Sequence, residues 1–174
     1  MLELFKPDMY IRIYKDLNLE LLEEQHIKLI ICDIDNTLAP HNIDIASDEA
    51  ISFINTIVER GIKVVLVSNN TNKRVTRFTR TTALKAYSFA LKPMKHTYKQ
   101  ILRDYALTSE QVAILGDQLL TDVLGGKLMG FKCILCTPLV KQDISWTKIL
   151  RVVENIIYKK LEKKKLLERG KYYE

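Results

Sequence analysis

The chain has 174 residues, of which 47% are hydrophobic, and a formal net charge of +6. This length fits one domain with a real core, and the six Gly and four Pro residues exclude a collagenous or disordered protein. No stretch approaches the roughly 20 apolar residues of a spanning helix, and the amino-terminal segment lacks the unbroken apolar core of a secretory signal, so we expect a cytoplasmic protein.

The amino-terminal part, residues 1–27, is predicted to be an extension with a short amphipathic helix at about 17–24. Apolar runs of strand length then recur along the chain, at residues 29–32, 64–67, 88–91, 112–115 and 133–136. Continuous apolar runs predict strands that are buried on both faces, as in a parallel sheet covered by helices. We therefore expect a single domain over residues 1–174, with its core at 28–137.

Helical segments separate these strands. Ser47 is a candidate N-cap, with Asp48 and Glu49 in the first turn, and this helix is predicted to end at Gly61. Further helices are predicted at 73–84, 94–105 and 121–129, and a basic amphipathic helix at 145–174. This order predicts an α/β fold with a three-layer, doubly wound and mostly parallel sheet, whose ligand crevice lies at the carboxyl ends of the strands.

Two carboxylates, Asp33 and Asp35, follow the first of these strands. One of two such acids can bind a hard cation and attack phosphorus, while the other holds a proton for the leaving oxygen and later activates water. Because parallel strands end at the same edge of a sheet, polar residues after the other strands are expected to join them. The pair is typical of a phosphoryl-transfer site.

The next three strands also end in fitting groups. Ser68 and Asn69 follow the second strand, where a hydroxyl and loop amides can bind the oxygens of a phosphoryl group. Lys92 follows the third strand, and its ammonium can neutralise both a carboxylate and a phosphate. Asp117 ends the fourth strand and can complete an all-oxygen magnesium site with Asp33, one backbone carbonyl and waters, while Asp122 can bind the metal through water or orient the other ligands. Singly, such residues are common in turns and caps, but the joint pattern favours a site.

In order and spacing, the segments Asp33-Ile-Asp-Asn-Thr-Leu, Ser68-Asn-Asn, Lys92-Pro and Gly116-Asp117 with Asp122 resemble the four motifs of the haloacid dehalogenase superfamily. This resemblance implies a Rossmann-like core in which Asp33 is the nucleophile, forms an aspartyl-phosphate, and is assisted by Asp35 as general acid and base. It also implies substrate contacts from Thr37, Ser68, Asn69 and Lys92, the last of them also catalytic. The implied Mg²⁺ ligands are Asp33, Asp35, Asp117 and Asp122. An Asp at the second motif position resembles the phosphatases and phosphomutases of the superfamily.

The spacing of the motifs leaves no room for a large cap domain, since 30 residues separate Thr37 from Ser68 and 23 separate Ser68 from Lys92. An uncapped site favours a phosphate carried by something bulky, or a lid supplied by another subunit of an oligomer. Residues 29–38, the Gly125-Gly126 turn and the segment 137–151 resemble the YqeG subgroup of the superfamily, which is related to phosphatidylglycerophosphate phosphatases. The resemblance implies a phosphorylated lipid, such as phosphatidylglycerophosphate, as the substrate.

The carboxyl-terminal segment is strongly basic, because residues 148–174 hold nine Lys or Arg against four Glu. Its apolar residues recur at helical spacing, which fits a solvated end packed on the core or an amphipathic helix on an anionic membrane; a nucleic-acid contact ranks third. A second basic row, Arg74, Arg77 and Arg80, lies on one side of the helix after Ser68. This row is either a solvated helix face or close enough to the crevice to reach a second phosphate.

Other classes of function remain open. A non-catalytic phospho-acceptor module also combines acids, a hydroxyl and a Lys-Pro pair on a doubly wound sheet, but there the Lys-Pro comes last, whereas Lys92 precedes Asp117 here. A nucleic-acid-end or protein phosphatase would share the chemistry, and nucleic acid is disfavoured because no aromatic residues interleave the basic tail before Tyr172. The leading hypothesis is a lipid phosphomonoesterase, cytoplasmic and peripheral on the inner face of the membrane.

Overall fold

A computed structural model describes residues 2–140 and 145–174, and of residues 145–150 only the main chain. Its strands are β1 (Met9–Ile11), β2 (Leu29–Cys32), β3 (Lys63–Val67), β4 (Ala86–Tyr87), β5 (Val112–Gly116) and β6 (Lys132–Cys136). They form one sheet in the spatial order β1-β6-β5-β2-β3-β4, and every neighbouring pair is parallel.

Helices follow the strands in the order that crossover connections require. They are α1 (Leu19–Glu24), α2 (Asp48–Glu59), α3 (Asn72–Thr79), α4 (Lys95–Tyr105), α5 (Leu124–Met129) and α6 (Ser145–Lys163). A π-helical turn, Leu119–Val123, leads directly into α5. Within the described ranges, none of the helices has both the length and the apolar character needed to cross a bilayer.

The central strands are buried on both faces, because successive side chains of a strand point to opposite sides of the sheet. In β2, Ile30 and Cys32 belong to the apolar cluster that also contains buried side chains of α1, α2 and α3. Leu29 and Ile31 belong to a second cluster, which contains buried side chains of α4 and α6. The predicted three-layer α/β architecture with a parallel sheet is confirmed.

The strand predicted at 88–91 is wrong, whereas the other four predicted strands are confirmed within a residue of their ends. The sheet strand in this region, β4, covers only Ala86–Tyr87. Phe89 and Leu91 have positive φ angles of 47° and 54°, which do not fit an extended strand. The apolar run Phe89-Ala-Leu91 therefore forms a loop beyond the sheet that leads to Lys92.

The amino-terminal extension contributes a strand that the sequence pattern did not predict. Its three residues, β1, pair with β6 at the edge of the sheet, with Met9 beside Ile134. On its other side, the Tyr10 amide donates a hydrogen bond of 2.7 Å to the Tyr173 carbonyl, and the Tyr173 amide donates one of 2.8 Å to the Tyr10 carbonyl. The amino-terminal and carboxyl-terminal segments therefore meet at this edge.

The predicted helices are present, but two of them are shorter than predicted. α3 ends at Thr79 instead of 84, and Ala83 lies in the left-handed region at φ 51°. α6 ends at Lys163 instead of 174, because Lys165 has a φ of 55° and the chain turns back toward β1. Residues 141–144 of the predicted subgroup segment lie outside the described residues.

No cap domain interrupts the core between Thr37 and Lys92, a stretch that the structure describes completely. Two helices, α2 and α3, and two strands, β3 and β4, are the elements of this stretch. α2 begins as predicted, since the Ser47 hydroxyl accepts a hydrogen bond of 3.2 Å from the Ala50 amide. The carboxyl ends of the strands are therefore left without a cap from this part of the chain.

Candidate active site

The predicted site residues meet at the carboxyl ends of the strands. Asp33 directly follows β2, Ser68 follows β3 and Asp117 follows β5. The Asp33 amide donates to the Leu115 carbonyl at 2.9 Å, which continues the pairing of β2 with β5 beyond the last residue of β2. Because these strands are central and adjacent, their ends present three polar side chains within one crevice.

Three carboxylates form a buried cluster in this crevice. Asp33, Asp117 and Asp122 each present one carboxylate oxygen, and these atoms lie within 4.8 Å of one another. Lys92 lies among them, with its Nζ at 2.5 Å from Asp33 Oδ1 and at 2.7 Å from Asp122 Oδ1. The ammonium therefore bridges the predicted nucleophile and a predicted metal ligand, and the catalytic role of Lys92 stays a prediction.

A loop contact fixes the position of Lys92. The Lys92 amide donates to Asn69 Oδ1 at 2.7 Å, and Asn69 Nδ2 donates to the Lys92 carbonyl at 3.2 Å. Asn69 was predicted to bind substrate, but both polar ends of its side chain bind the main chain of Lys92. Asn69 therefore positions Lys92, and its predicted contact with the substrate stays a prediction.

Asp122 can lie close to β5 because Gly116 has no side chain. A Cβ added to Gly116 would overlap the carboxylate of Asp122, so only glycine leaves room for this side chain. Asp122 Oδ2 accepts hydrogen bonds from the Gln118 amide at 3.2 Å and from the Thr121 hydroxyl at 3.3 Å. These bonds leave the other oxygen, Oδ1, directed at Lys92.

An arginine that the sequence did not identify as a site residue binds the third carboxylate. Arg151 Nη2 of α6 lies 2.6 Å from Asp117 Oδ2, and Arg151 Nη1 lies 3.0 Å from Glu154 Oε2. Glu154 in turn accepts a hydrogen bond of 3.1 Å from the Leu120 amide, in the π-helical turn after β5. The carboxyl-terminal helix is therefore part of the site, a contact between residues 34 positions apart that a local sequence motif does not reveal.

Asp35 lies beside the cluster but outside it, in polar surroundings of its own. Its Oδ2 accepts hydrogen bonds from the Ser68 hydroxyl at 3.1 Å and from Asn70 Nδ2 at 3.4 Å. Its Oδ1 lies 3.1 Å from Arg74 Nη2. The carboxylate of Asp35, predicted as a fourth metal ligand, therefore lies outside the cluster of three and contacts Ser68 and Arg74.

The loop after β2 explains why the two acids diverge. Asn36 lies in the left-handed region at φ 66°, a conformation that Asn tolerates better than most residues. The amides of Leu38 and Ala39 then both donate to the Ile34 carbonyl, which closes a tight turn. Thr37 is completely buried next to Cys136, so the structure does not support the substrate contact predicted for it.

Burial and charge shift the pKa values of the cluster. Burial raises the pKa of Asp33 to about 7, with further increases from Asp122 and Asp35, and Lys92 opposes this shift. Burial also raises the pKa of Asp117, against the opposing effect of Arg151. For Lys92, burial alone would lower the pKa, but the carboxylates of Asp122 and Asp33 outweigh it and raise the pKa. The ammonium of Lys92 is therefore charged at neutral pH.

The donor set fits a divalent metal ion. Among the described residues, Lys92 and Arg151 are the cations that contact the three clustered carboxylates, so the cluster favours an additional positive charge. Asp117 Oδ1 is buried and has no hydrogen-bond partner among the described residues. Oxygen ligands of this kind are those that hard divalent cations prefer. The cluster can therefore hold a metal ion.

Comparisons with known proteins agree with this geometry. Residues 2–141 match the family model described as mitochondrial PGP phosphatase. The chain is 36% identical over 160 residues to the probable phosphatase YqeG of Bacillus subtilis (strain 168). The aligned region covers 92% of this chain and 93% of that protein.

Solved structures share the fold at low sequence identity. The cobalt-bound deoxy-D-mannose-octulosonate 8-phosphate phosphatase YrbI of Haemophilus influenzae is 15% identical, with a TM-score of 0.53 over 78% of this chain and 89% of that one. The 3-deoxy-D-manno-octulosonate 8-phosphate phosphatase of Yersinia pestis is 16% identical, with a TM-score of 0.51 over 88% of this chain and 92% of that one. At these identities the similarity concerns the fold alone.

Proposed function

Because this chain belongs to the family described as mitochondrial PGP phosphatase, and is therefore a phosphatase of the haloacid dehalogenase superfamily, we propose that it hydrolyses a phosphomonoester on a membrane lipid. Phosphatidylglycerophosphate is the proposed substrate. One observation carries the chemistry: the buried carboxylate of Asp33 contacts Lys92 within a cluster that includes the carboxylates of Asp117 and Asp122, and Asp35 lies beside this cluster. This arrangement suits attack on phosphorus by Asp33.

In the proposed first step, one carboxylate oxygen of Asp33 attacks the phosphorus. The bond from phosphorus to the leaving oxygen breaks, and Asp35 gives a proton to that oxygen, so the products are an aspartyl-phosphate and a free alcohol. Lys92, at 2.5 Å from Asp33, neutralises charge on both the nucleophile and the phosphoryl group. Ser68 is close enough to exchange its bond to Asp35 for one to a phosphoryl oxygen.

In the second step, water replaces the alcohol. Asp35 takes a proton from this water as its oxygen attacks the phosphorus, and the bond from phosphorus to Asp33 breaks. Inorganic phosphate leaves, Asp33 is again a carboxylate, and Asp35 again carries the proton for the next cycle. The same residue thus acts first as an acid and then as a base, which requires that it lie outside the metal cluster, as Asp35 does.

The metal ion in this proposal is Mg²⁺, held by Asp33, Asp117 and Asp122. When bound, it neutralises the negative charge that develops on the phosphoryl oxygens. The chain's own residues prepare this site, since Gly116 and the Gln118 amide orient Asp122. Removal of the metal is therefore expected to stop phosphate release without unfolding the sheet.

Apolar side chains at the site support a lipid substrate. Phe89, Leu91 and Met94 flank Lys92 in sequence, and they are 58%, 68% and 65% exposed. On α6, close to Arg151, Val152 and Ile156 are also exposed. Exposed apolar side chains that are close in sequence to Lys92 and Arg151 suit a phosphate whose carrier lies in a membrane.

An anionic membrane surface is the partner we propose for α6. Glu154, Tyr158 and Leu161 form the buried face of this helix. Exposed lysines follow along the same helix and just beyond it: Lys159, Lys160, Lys163, Lys164 and Lys165. Each lysine near an anionic surface contributes about 1 kcal/mol, so the cluster would hold the protein peripherally on such a membrane.

A phosphate-release assay tests the proposed reaction. Purified protein with Mg²⁺ should release phosphate from phosphatidylglycerophosphate in vesicles faster than from nucleotide, sugar, oligonucleotide or phosphopeptide substrates. Asp33→Asn should lower the rate by at least about 10³-fold. Asp44→Asn is the matched control, because Asp44 pairs with Arg77 at the surface and should leave the rate unchanged. Turnover of the other phosphates without turnover of the lipid would refute the lipid substrate but leave the phosphatase chemistry intact.

A vesicle assay tests the membrane contact separately. Binding should be stronger to vesicles that contain anionic lipid than to zwitterionic ones, and it should weaken as salt increases. Replacing Lys159, Lys160 and Lys163 with Gln should lower binding to anionic vesicles while leaving turnover of a water-soluble phosphomonoester unchanged. Equal binding of this variant and the original chain would contradict the role of the basic cluster.

A further inference from the structure

The basic row after Ser68 divides in the structure, and only one of its members reaches the site. Arg77 pairs with Asp44 at the surface at 2.6 Å, and Arg80 is exposed. Arg74, in contrast, is only 7% exposed and faces Asp35. The solvated-face interpretation therefore applies to Arg77 and Arg80, but it is wrong for Arg74.

Arg74 is buried without the hydrogen bonds that a buried guanidinium normally makes. Its Nε, Nη1 and Nη2 have no hydrogen-bond partner among residues 2–140 and 145–174. The Nη2 atom lies 3.1 Å from Asp35 Oδ1, close enough for an ion pair, and the guanidinium lies 5.6 Å from the centre of the Phe78 ring. A guanidinium has five N–H donors in a planar fork, and leaving them unused in a buried place is costly.

The position of Arg74 behind Asp35 indicates which part of the substrate Arg74 could bind. In the proposed reaction, Asp35 gives its proton to the oxygen of the leaving alcohol. Arg74 lies directly behind Asp35, on the oxygen that Ser68 and Asn70 do not bind. A group bound by Arg74 would therefore belong to the alcohol side of the substrate and not to the phosphate that is removed.

We propose that Arg74 is a specificity-determining residue that binds a second anionic phosphate group on the leaving alcohol. This inference rests on the proposed role of Asp35 as the proton donor. The fork of a guanidinium matches two oxygens of a phosphate, and such pairs are frequently bidentate. Asp35 and Arg74 would both lie between the leaving oxygen and the second phosphate, so about three hydrogen-bond lengths separate them along this path, one of them the 3.1 Å contact from Arg74 Nη2 to Asp35 Oδ1.

This subsite would provide hydrogen-bond acceptors for the guanidinium nitrogens of Arg74 that have none among the described residues. A substrate whose alcohol carries a second phosphate a few bonds away, as a monoester or a diester, would bind both at Asp33 and at Arg74. A phosphomonoester on an uncharged alcohol would bind only at Asp33.

Inhibition by small phosphates tests the subsite without any lipid. The probes are inorganic phosphate and propane-1,3-diol bisphosphate, and the assay is hydrolysis of p-nitrophenyl phosphate. The original chain should bind the bisphosphate about 10-fold or more tightly than phosphate, as one added charge-assisted pair would produce. Arg74→Met should lose this preference, and Arg74→Lys should keep a part of it. Arg77→Met, on the same helix, should retain all of it.

The split between the kinetic constants separates a specificity role from a merely structural one. With Arg74→Met, kcat for p-nitrophenyl phosphate should fall, because Asp35 loses its ion-pair partner, and the inhibition constants of phosphate and the bisphosphate should become equal. An unchanged bisphosphate preference in Arg74→Met would overturn the proposal. A loss of kcat with an unchanged ratio of the two inhibition constants would show that Arg74 only holds Asp35. Failure of lipid turnover would refute the lipid substrate alone, because neither probe is a lipid.

Discussion

Replacement of Arg151 with Met should destabilise the chain by about 3 kcal/mol in the absence of metal. Arg151 pairs with two carboxylates, Asp117 and Glu154, whose side chains are 1% and 2% exposed. Removing one partner of a buried ion pair typically costs about 3–5 kcal/mol, because the remaining charge stays buried without compensation. We take the lower end of this range, since the Arg151 side chain is itself 21% exposed.

Urea unfolding in the presence of EDTA measures this loss. Lys159→Met is the matched control, because it removes a positive charge from an exposed position of α6 and should change the free energy of unfolding by less than about 0.5 kcal/mol. In the double variant Asp117→Asn/Arg151→Met, the loss of unfolding free energy should be smaller than the sum of the two single losses, by a coupling energy of about 1–3 kcal/mol. If Arg151→Met lowered the free energy of unfolding no more than Lys159→Met does, the ion pair between Arg151 and Asp117 would not stabilise the packing of α6 on the site.

Three further predictions concern the carboxylate cluster. Gly116→Ala should weaken Mg²⁺ binding by about 10-fold or more, because the new methyl group displaces Asp122; calorimetric titration measures this, and unchanged affinity would contradict the close approach. Lys92→Met should lower the free energy of unfolding in EDTA by about 3–5 kcal/mol, and the thermal shift on adding Mg²⁺ should be larger than in the original chain, because the metal replaces the lost charge. The metal-free chain should lose stability as pH rises from about 4 to 7, because the raised pKa of Asp33 means that the folded state holds its proton more tightly than the unfolded state. Asp33→Asn should flatten this slope in thermal unfolding scans, and an equal slope in both chains would show that other groups cause it.

The central part of the fold is readable from local sequence, and its edges are not. β2, β3, β5 and β6 are continuous apolar runs, so their burial on both faces follows from composition alone. The run at Phe89 and Leu91 has the same composition, but positive φ angles place both residues in a loop. β1 was not predicted, because a strand of three residues in a charged segment has too short an apolar pattern to be recognised. Its partner β6 is also more than 100 residues away in the sequence.

The site divides in a similar way between local and distant contacts. Asp33 and Asp117 directly follow strand ends, and the parallel order of those strands is enough to bring them together. Lys92 reaches them through the loop after β4, where Asn69 binds its main chain. The roles of Asn69 and Asp35 depend on which atoms their side chains meet after the loops close, and residue type does not decide that. Arg151 enters through a helix that packs back onto the site from the far end of the chain, so no motif spacing contains it.

The pairing of Tyr10 with Tyr173 has a consequence for self-association. Hydrogen-bonding groups alternate in direction along a strand, so the middle residue of the three-residue β1 supplies its outward amide and carbonyl. Both of these groups already bind Tyr173, and the opposite border of the sheet, β4, is only two residues long. A second copy therefore cannot extend the sheet through Tyr10 unless it displaces Tyr173, and β4 offers only a short border for strand pairing.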